Sequence, residues 1–405
     1  MHERDGRLGR DLFDDRFVED PYPLYERMLA EGPVHRIGDS VFHAVCSWDA
    51  VNDVVARPQE FSSNLTATMT FQDGKVGEFP MGELGGDIQA LATADDPAHA
   101  AHRKLLVPQL VAKRINALES FVGVAEDLLW NDGANDGAIE WMSTMANRLP
   151  MMVVGRLIGV PDEDSDQLGK WGYAATKVVE GLVSQDELSA AGVAVMQLAG
   201  YIMDRFPSAA ADPKDDLFSD IALAREGGEL ADLTALNMMA TLFSAGGEST
   251  ASLIGSAAYL LATRPDIQRR IRASPDLLTA FLEEVLRYEP PFRGHYRHVV
   301  NDTSLAGVDI AAGSRLLLLW GAANRDPSHF PHANDFRLDR VSGKAHISFG
   351  KGAHFCVGAA LARMEARIVI GRLLERTTWV EAQAASRWLP SLLVRRLEHL
   401  ELTVA

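Results

Sequence analysis

The chain has 405 residues, a formal net charge of −17 and only two cysteines. Such acidity argues against nucleic-acid binding, and two cysteines in so long a chain argue against a disulfide framework and fit a reducing, cytoplasmic setting. The first residues, Met1-His2-Glu3-Arg4-Asp5-Gly6-Arg7, mix both charge signs, and nowhere do about 18 uncharged apolar residues run together, so neither a secretory leader nor integral membrane association is expected.

The predicted elements begin with a short helix opened by Pro21-Tyr22-Pro23-Leu24-Tyr25. Hairpin-like alternation follows from Val34 to Ser47, with Cys46 expected in the core, and Val51 to Ala56 returns to helix. The stretch Phe71 to Asp87 carries Asp73-Gly74-Lys75 and Gly82-Glu83-Leu84-Gly85-Gly86 and reads as a mobile lid. From Ala98 to Leu286 helical periods dominate, broken at Gly159-Val160-Pro161, Phe206-Pro207 and Gly227-Gly228. The longest helix is predicted from about Asp232 to Arg264, roughly 50 Å at 1.5 Å per residue.

Inside that helix, Ala245-Gly246-Gly247-Glu248-Ser249-Thr250 places an acid in an otherwise apolar run. Its paired glycines lower local helix stability, so that carbonyls can leave the ladder and hold water; a small-residue patch for helix packing is the alternative. Ser274 and Pro275 open a helix bearing Glu284 and Arg287, three residues apart and so on one face. After Pro290-Pro291 come strand-like runs, Leu305 to Ile310 and Leu316 to Trp320, then Phe336-Arg337-Leu338-Asp339-Arg340. Val357 to Leu374 is helical, and Leu389 to Val404 reads as a closing strand pair. The expected β-rich parts lie at about 30–60, 292–340 and 377–405, and the helical body at about 98–290 and 357–376. No linker or composition break divides them, which suggests a single domain over residues 1–405.

Between the strands and the last helix lies Phe349-Gly350-Lys351-Gly352-Ala353-His354-Phe355-Cys356-Val357-Gly358. Gly350 and Gly352 permit backbone angles that a side chain forbids, so the chain can turn tightly beside a flat ligand. Cys356 would stand at a helix N-terminus, where free N–H groups and the dipole stabilise a thiolate, the form that binds metal. Gly358 allows close approach and Phe349 can shield the sulfur from water. A buried structural cysteine in a glycine-rich turn is the alternative.

This loop resembles the haem-ligating signature of the cytochrome P-450 monooxygenases, and other motifs from about Phe61-Ser62-Ser63 to the C-terminus resemble the soluble bacterial branch. The resemblance implies a mainly α fold with a smaller β-rich lobe, and haem b (iron protoporphyrin IX) between the long central helix and the cysteine-loop helix. Cys356 would be the axial thiolate ligand. Glu284 and Arg287 match the family's Glu-x-x-Arg, with Arg340 as the structural partner from a later loop. His99 and Arg103, in Asp95-Asp96-Pro97-Ala98-His99-Ala100-Ala101-His102-Arg103, match propionate partners, as do Arg297 and His354. Ala245 would face the haem. Glu248 and Ser249 match the acid-alcohol pair of the proton relay, with serine where threonine is usual. Thr250, also a candidate, is turned about 100° from Ser249 by the helix period.

The implied reaction is insertion of one oxygen atom from dioxygen into a lipophilic small molecule, by hydroxylation or epoxidation, with electrons from a separate ferredoxin and its reductase. Arg103, Lys104, Lys113, Arg114, Lys344, Lys351 and Arg363 would form the cationic face that steers the acidic donor to a monomeric enzyme. Pocket candidates are Met69, Phe71, Phe79, Met81, Leu182, Val183, Met239, Leu242, Phe243 and Phe292, with Arg293 and His295 as polar groups for a carboxylate or carbonyl. Two other readings share the haem loop. A peroxide-driven haem-thiolate enzyme usually lacks the acid-alcohol pair, and a non-catalytic haem sensor or ligand-binding partner tends to lose the cysteine signature.

Overall fold

The computed structural model of the chain describes residues 8–84, 88–179, 182, 184–340, 345–383 and 386–405. Its longer helices are α1 (Tyr22–Glu31), α2 (Trp48–Ala56), α3 (Ala98–Leu106), α4 (Glu119–Gly133), α5 (Leu149–Ile158), α6 (Ser165–Thr176), α7 (Gln185–Ala211), α8 (Leu217–Glu226), α9 (Asp232–Thr263), α10 (Pro265–Ala273), α11 (Leu278–Tyr288) and α12 (Ala359–Arg376). Strands β1 (Val34–Arg36), β2 (Phe42–Val45), β3 (Phe61–Ser62), β7 (Gly294–Val299) and β10 (Arg315–Leu319) form one sheet in the order β1-β2-β10-β7-β3. The β2–β10 pair is parallel and the others are antiparallel. Helices supply the body and the sheet a smaller lobe. Among the described residues no helix is long and apolar enough to cross a membrane.

Helix α9 organises the body because it is apolar on nearly every side from Ala251 onward, and a helix hydrophobic all round must be buried. Leu253, Ile254, Ala257 and Leu261 pack with Val122 and Leu129 of α4, Val285 of α11 and Val369 of α12 in the largest core. Each buried leucine, isoleucine or valine contributes on the order of 1.5–3 kcal/mol relative to exposure. A second core joins α5, α7 and α8 to the N-terminal half of α9, and two more sandwich the five-stranded sheet.

Two sequence expectations are corrected. Leu305 to Ile310 is not one strand: Ala306 and Gly307, at φ +50° and +80°, turn it into a hairpin of β8 (Thr303–Leu305) and β9 (Val308–Ile310). Leu389 to Val404 is not a self-contained pair, since β12 (Glu401–Val404) lies between β11 (Val380–Ala382) and β6 (Ala138–Glu140). Of the stretch expected to act as a lid, Phe71 to Pro80 belongs to a hairpin of β4 (Ala67–Gln72) and β5 (Lys75–Pro80), whose turn is made by Asp73 and Gly74 at positive φ. The remainder of that stretch at 85–87 lies outside the described residues. Cys46 is fully buried, and burial pushes its thiol up to about 12.

Candidate active site

The cysteine loop closes on itself before α12 begins. The Cys356 amide donates to the Phe349 carbonyl at 2.9 Å, and the Cys356 carbonyl accepts from the Ala359 amide at 3.4 Å. Gly350 and Gly352 adopt φ of +67° and +70°, left-handed values that glycine tolerates without strain. Phe349 is half-buried, with the Arg363 guanidinium 4.4 Å above its ring. The sulfur opens into a cavity of about 280 Å³ that is partly open to solvent. Cys356 is therefore accessible through the cavity although protein surrounds it, and desolvation pushes its thiol upward. The backbone N–H groups of Gly358 and Ala359 and the charges of Arg103 and Arg363 oppose that rise. These four groups favour a thiolate once a cation stands at the sulfur.

One side of the cavity collects cationic and imidazole side chains. His99 and Arg103 project from α3 one turn apart, and the His99 ring stacks on His354 with centroids 3.9 Å apart. Arg103 donates to the Phe355 carbonyl at 2.9 Å, which ties α3 to the cysteine loop. His354 contacts the Ser63 hydroxyl through Nε2 at 3.0 Å, while its buried Nδ1 has no protein partner. Arg297 is buried and hydrogen-bonds the Tyr296 carbonyl; among the described residues no carboxylate pairs with it. Burial lowers its pKa to about 10, so it remains a cation. A buried guanidinium in no direct salt bridge among the described residues, an orphaned imidazole nitrogen and a second arginine beside one cavity suit a ligand bearing carboxylates. A haem with two propionates fits this donor set, with Cys356 at its iron.

Helix α9 forms another wall. Ala245, Ser249 and Thr250 all line the cavity, so Thr250 is not turned away from it as the helix period suggests. The helix is not loosened either. It runs unbroken through Gly246 and Gly247, and the Ala245 carbonyl accepts a hydrogen bond from the Ser249 hydroxyl at 2.8 Å. Packing favours those glycines: a Cβ at Gly246 would collide with Val154 of α5, and one at Gly247 would displace the Met151 side chain and press on Tyr173. Glu248 is fully buried behind the wall, away from Ser249. It accepts from Arg396 Nη2 at 3.1 Å and Nε at 3.3 Å, and its Oε2 has no partner. Arg396 also donates to Asn147 Oδ1 at 3.0 Å and lies 5.0 Å over the Tyr173 ring.

Of the pocket candidates, Leu242, Phe292 and His295 line the cavity. Phe243, one helical position from Leu242, is buried against the second core instead. Arg293, next to Phe292, points the other way and donates to the carbonyls of Phe17 at 2.9 Å and Val18 at 2.6 Å, so it clamps the N-terminal segment. Met69 and Leu182 pack into the core that includes Phe42, and Met239 packs into the second core. Phe71 stacks on Phe13, Phe79 sits on β5 opposite Thr68, and neither Phe79 nor Met81 reaches the cavity. Val183 and Lys344 lie outside the described residues.

Glu284, Arg287 and Arg340 form one buried cluster away from the cavity. Arg287 meets both Glu284 oxygens at 2.7 and 2.8 Å, and Arg340 Nε meets them at 2.9 and 3.1 Å. Arg287 also donates to the Asn324 carbonyl, whose side chain in turn receives the Ile347 amide and donates to Ser348, just before Phe349. The cluster thus anchors the entrance of the cysteine loop. Its neighbour Glu283 is held at about 2: burial would raise it, but hydrogen bonds from His346 and Arg363 prevail.

Sequence reasoning missed three residues. Glu365 of α12 is buried in the cavity wall with Oε2 unpartnered, and burial raises its pKa well above the usual carboxylate range. An acid within the apolar run Val357 to Leu374 was the available signal. Trp320 and Arg396 carried none, because their importance lies in contacts with His295 and Glu248 that are distant in the chain.

Residues 201–391 match the family model for cytochrome P450. Cytochrome P450 144 of Mycobacterium tuberculosis is 64% identical over 394 residues, covering 97% of this chain and 91% of the relative. The monooxygenase PikC of Streptomyces venezuelae is 33% identical, covering 98% and 92%. Among solved structures, the cytochrome P450 CREJ in complex with (4-ethylphenyl) dihydrogen phosphate superposes with a TM-score of 0.88 at 25% identity, covering 97% of this chain and 98% of that one. P450BioI, in complex with a fatty-acid-ligated acyl carrier protein, gives 0.85 at 27% identity, covering 96% and 100%. The chain therefore belongs to the cytochrome P450 family, monooxygenases that bind haem through a cysteine thiolate.

Proposed function

We propose that this enzyme inserts one oxygen atom of dioxygen into a C–H or C=C bond of a lipophilic small molecule, in the cytoplasm, with electrons from a separate ferredoxin and reductase. The observation that carries the reading is that the Cys356 sulfur and the hydroxyls of Ser249 and Thr250 share one cavity whose other walls are largely apolar. When bound, haem supplies the redox chemistry that activates dioxygen, with the thiolate donating electron density to the iron.

The chain's own residues do the rest. Cys356 would hold the haem iron through its thiolate, and the N–H groups of Gly358 and Ala359 favour negative charge on its sulfur. His99, Arg103, Arg297 and His354 hold the propionates. Leu91, Val154, Leu242 and Phe292 exclude water and receive the apolar substrate. Ser249 passes protons into the cavity from a hydroxyl already oriented by the Ala245 carbonyl. Glu248, held behind the helix by Arg396, would on release from that pair take up a proton from outside the cavity and pass it toward Ser249.

The donor surface is narrower than the sequence suggests. Arg114 is paired with Asp215 and Arg363 with Glu283, and Arg103 faces the cavity. Lys104, Lys113 and Lys351 are left exposed, beside Val107 and Val111, to receive an acidic carrier. The reading is tested on Cys356→Ser. The reduced carbon-monoxide complex of the wild type should show the strongly red-shifted Soret band of a thiolate ligand and the variant should not; a band retained by the variant would overturn the assignment.

A further inference from the structure

Among the polar groups of the cavity that neither the cysteine side nor the relay explains is the imidazole of His295. His295 lies on β7 two residues before Arg297, so strand alternation turns both to the same side, while Tyr296 between them is buried in the sheet's core. Trp320, which directly follows β10, reaches across the paired strands, and its indole N–H donates to His295 Nδ1 at 2.5 Å. An indole nitrogen can only donate, so the imidazole atom facing it must carry a lone pair. That contact settles both the ring orientation and the tautomer, and it places the proton on Nε2. Aromatic rings brace the imidazole on two sides, Phe292 at 5.0 Å and Trp320 at 5.7 Å between centroids.

With Nδ1 taken by Trp320, Nε2–H is left free on a ring that lines the cavity. His295 is enclosed by the protein yet accessible through the cavity, and among the described residues nothing accepts from Nε2. The ring also stays uncharged: burial, then the nearby Arg297 and His354, push its pKa down to about 3. A neutral donor held rigidly among Leu242, Phe292 and Leu91 does not attract a carboxylate by charge. It suits a neutral acceptor oxygen, and a molecule lacking one leaves the N–H unpaired.

We propose that His295, its tautomer fixed by Trp320, orients the substrate by donating Nε2–H to a carbonyl or hydroxyl oxygen of a neutral, lipophilic molecule, and so selects which carbon faces the cysteine end of the cavity. This rests on the monooxygenase reading above. His295 is the binding group and Trp320 its positioning residue.

The test uses the haem-loaded full chain and three probes of matched shape: cyclododecanone, cyclododecanol and cyclododecane, titrated by the shift of the Soret band. The wild type should bind the two oxygenated probes about tenfold more tightly than the hydrocarbon. His295→Phe should abolish that preference while still binding the hydrocarbon. His295→Gln, which retains an N–H donor, should restore part of it, and Trp320→Phe should weaken it without changing hydrocarbon affinity. No preference in the wild type, or an undiminished one in His295→Phe, overturns the proposal. Haem loss from His295→Phe with no change in the preference would show that the histidine holds the cofactor, and overturns it as well. Failure of the underlying reading is separate: the wild type itself would lack the red-shifted carbon-monoxide band.

Discussion

Replacing Glu284 by glutamine keeps the side chain's shape and removes its charge. The carboxylate accepts from Arg287 twice, from Arg340 Nε and from the Arg337 amide at 2.8 Å, and both Glu284 and Arg287 are almost completely buried. The amide would leave two guanidinium groups facing each other across a neutral group that carries donors of its own. Breaking a buried pair in this way costs about 3–5 kcal/mol, because the surviving charge is uncompensated. Unfolding entropy near the midpoint is about 2.1 cal/mol/K per residue, which over the 405 residues makes a 4 kcal/mol loss about 5 °C in Tm. Through Asn324 the same cluster holds Ile347 and Ser348 at the mouth of the cysteine loop, so haem release should move down in temperature with unfolding. Far-UV circular dichroism and Soret absorbance, followed together on heating, measure both. The double variant Glu284→Gln/Arg287→Met removes one of the two stranded charges and should lose less than the two single changes combined. A Glu284→Gln midpoint within 1 °C of wild type, or strict additivity in the double variant, would refute the reasoning, a shift that small amounting to about one fifth of the expected loss.

Other consequences follow from the cavity and its rim. Ser249→Ala removes the oriented hydroxyl and should lower the product formed per electron consumed several-fold, with peroxide rising in proportion; an unchanged ratio argues against Ser249 as the relay alcohol. His295, with a native pKa of about 3, refuses a proton that the unfolded chain accepts below about 6.5, so its stabilising contribution is complete above that pH and is lost as the pH falls toward 3. The Tm difference between pH 7 and pH 5 should therefore be smaller in His295→Phe than in wild type. Charge reversal at Lys104 and Lys351 should slow reduction by an acidic ferredoxin in stopped-flow experiments, most strongly at low ionic strength; equal rates would remove this face as the docking surface.

Features written within a few residues of one another were legible in the sequence. The glycines around Cys356, the three-residue spacing of Glu284 and Arg287, and the apolar period of α9 are local patterns, and the described loop and helices realise them. The identity of each cavity wall was not legible to the same degree. Leu242 and Phe243 are equally apolar, but one helical step of about 100° sends the first to the cavity and the second to a core. Phe292 and Arg293 divide similarly between the cavity and the N-terminal clamp. The Gly246-Gly247 pair was ambiguous for another reason: glycine permits loosening and also close packing, and only the position of Met151 and Val154 on α5 decides between them.

The polar groups show why long-range contacts matter most for function. Glu248 stood out as an acid in an apolar helix, yet its environment is set by Arg396, nearly 150 residues away, which holds the carboxylate behind the wall. His295 was visible only as one polar residue among several candidates. The indole of Trp320 gives it a definite tautomer, and the same sheet register that brings them together turns Arg297 into the cavity beside it. One edge of the β-rich lobe thus presents a fixed cation and a fixed neutral donor to the same space. The cation suits a cofactor carboxylate and the neutral donor a substrate oxygen, so on the proposed reading two residues of one strand would divide the task of seating haem from that of orienting what it oxidises.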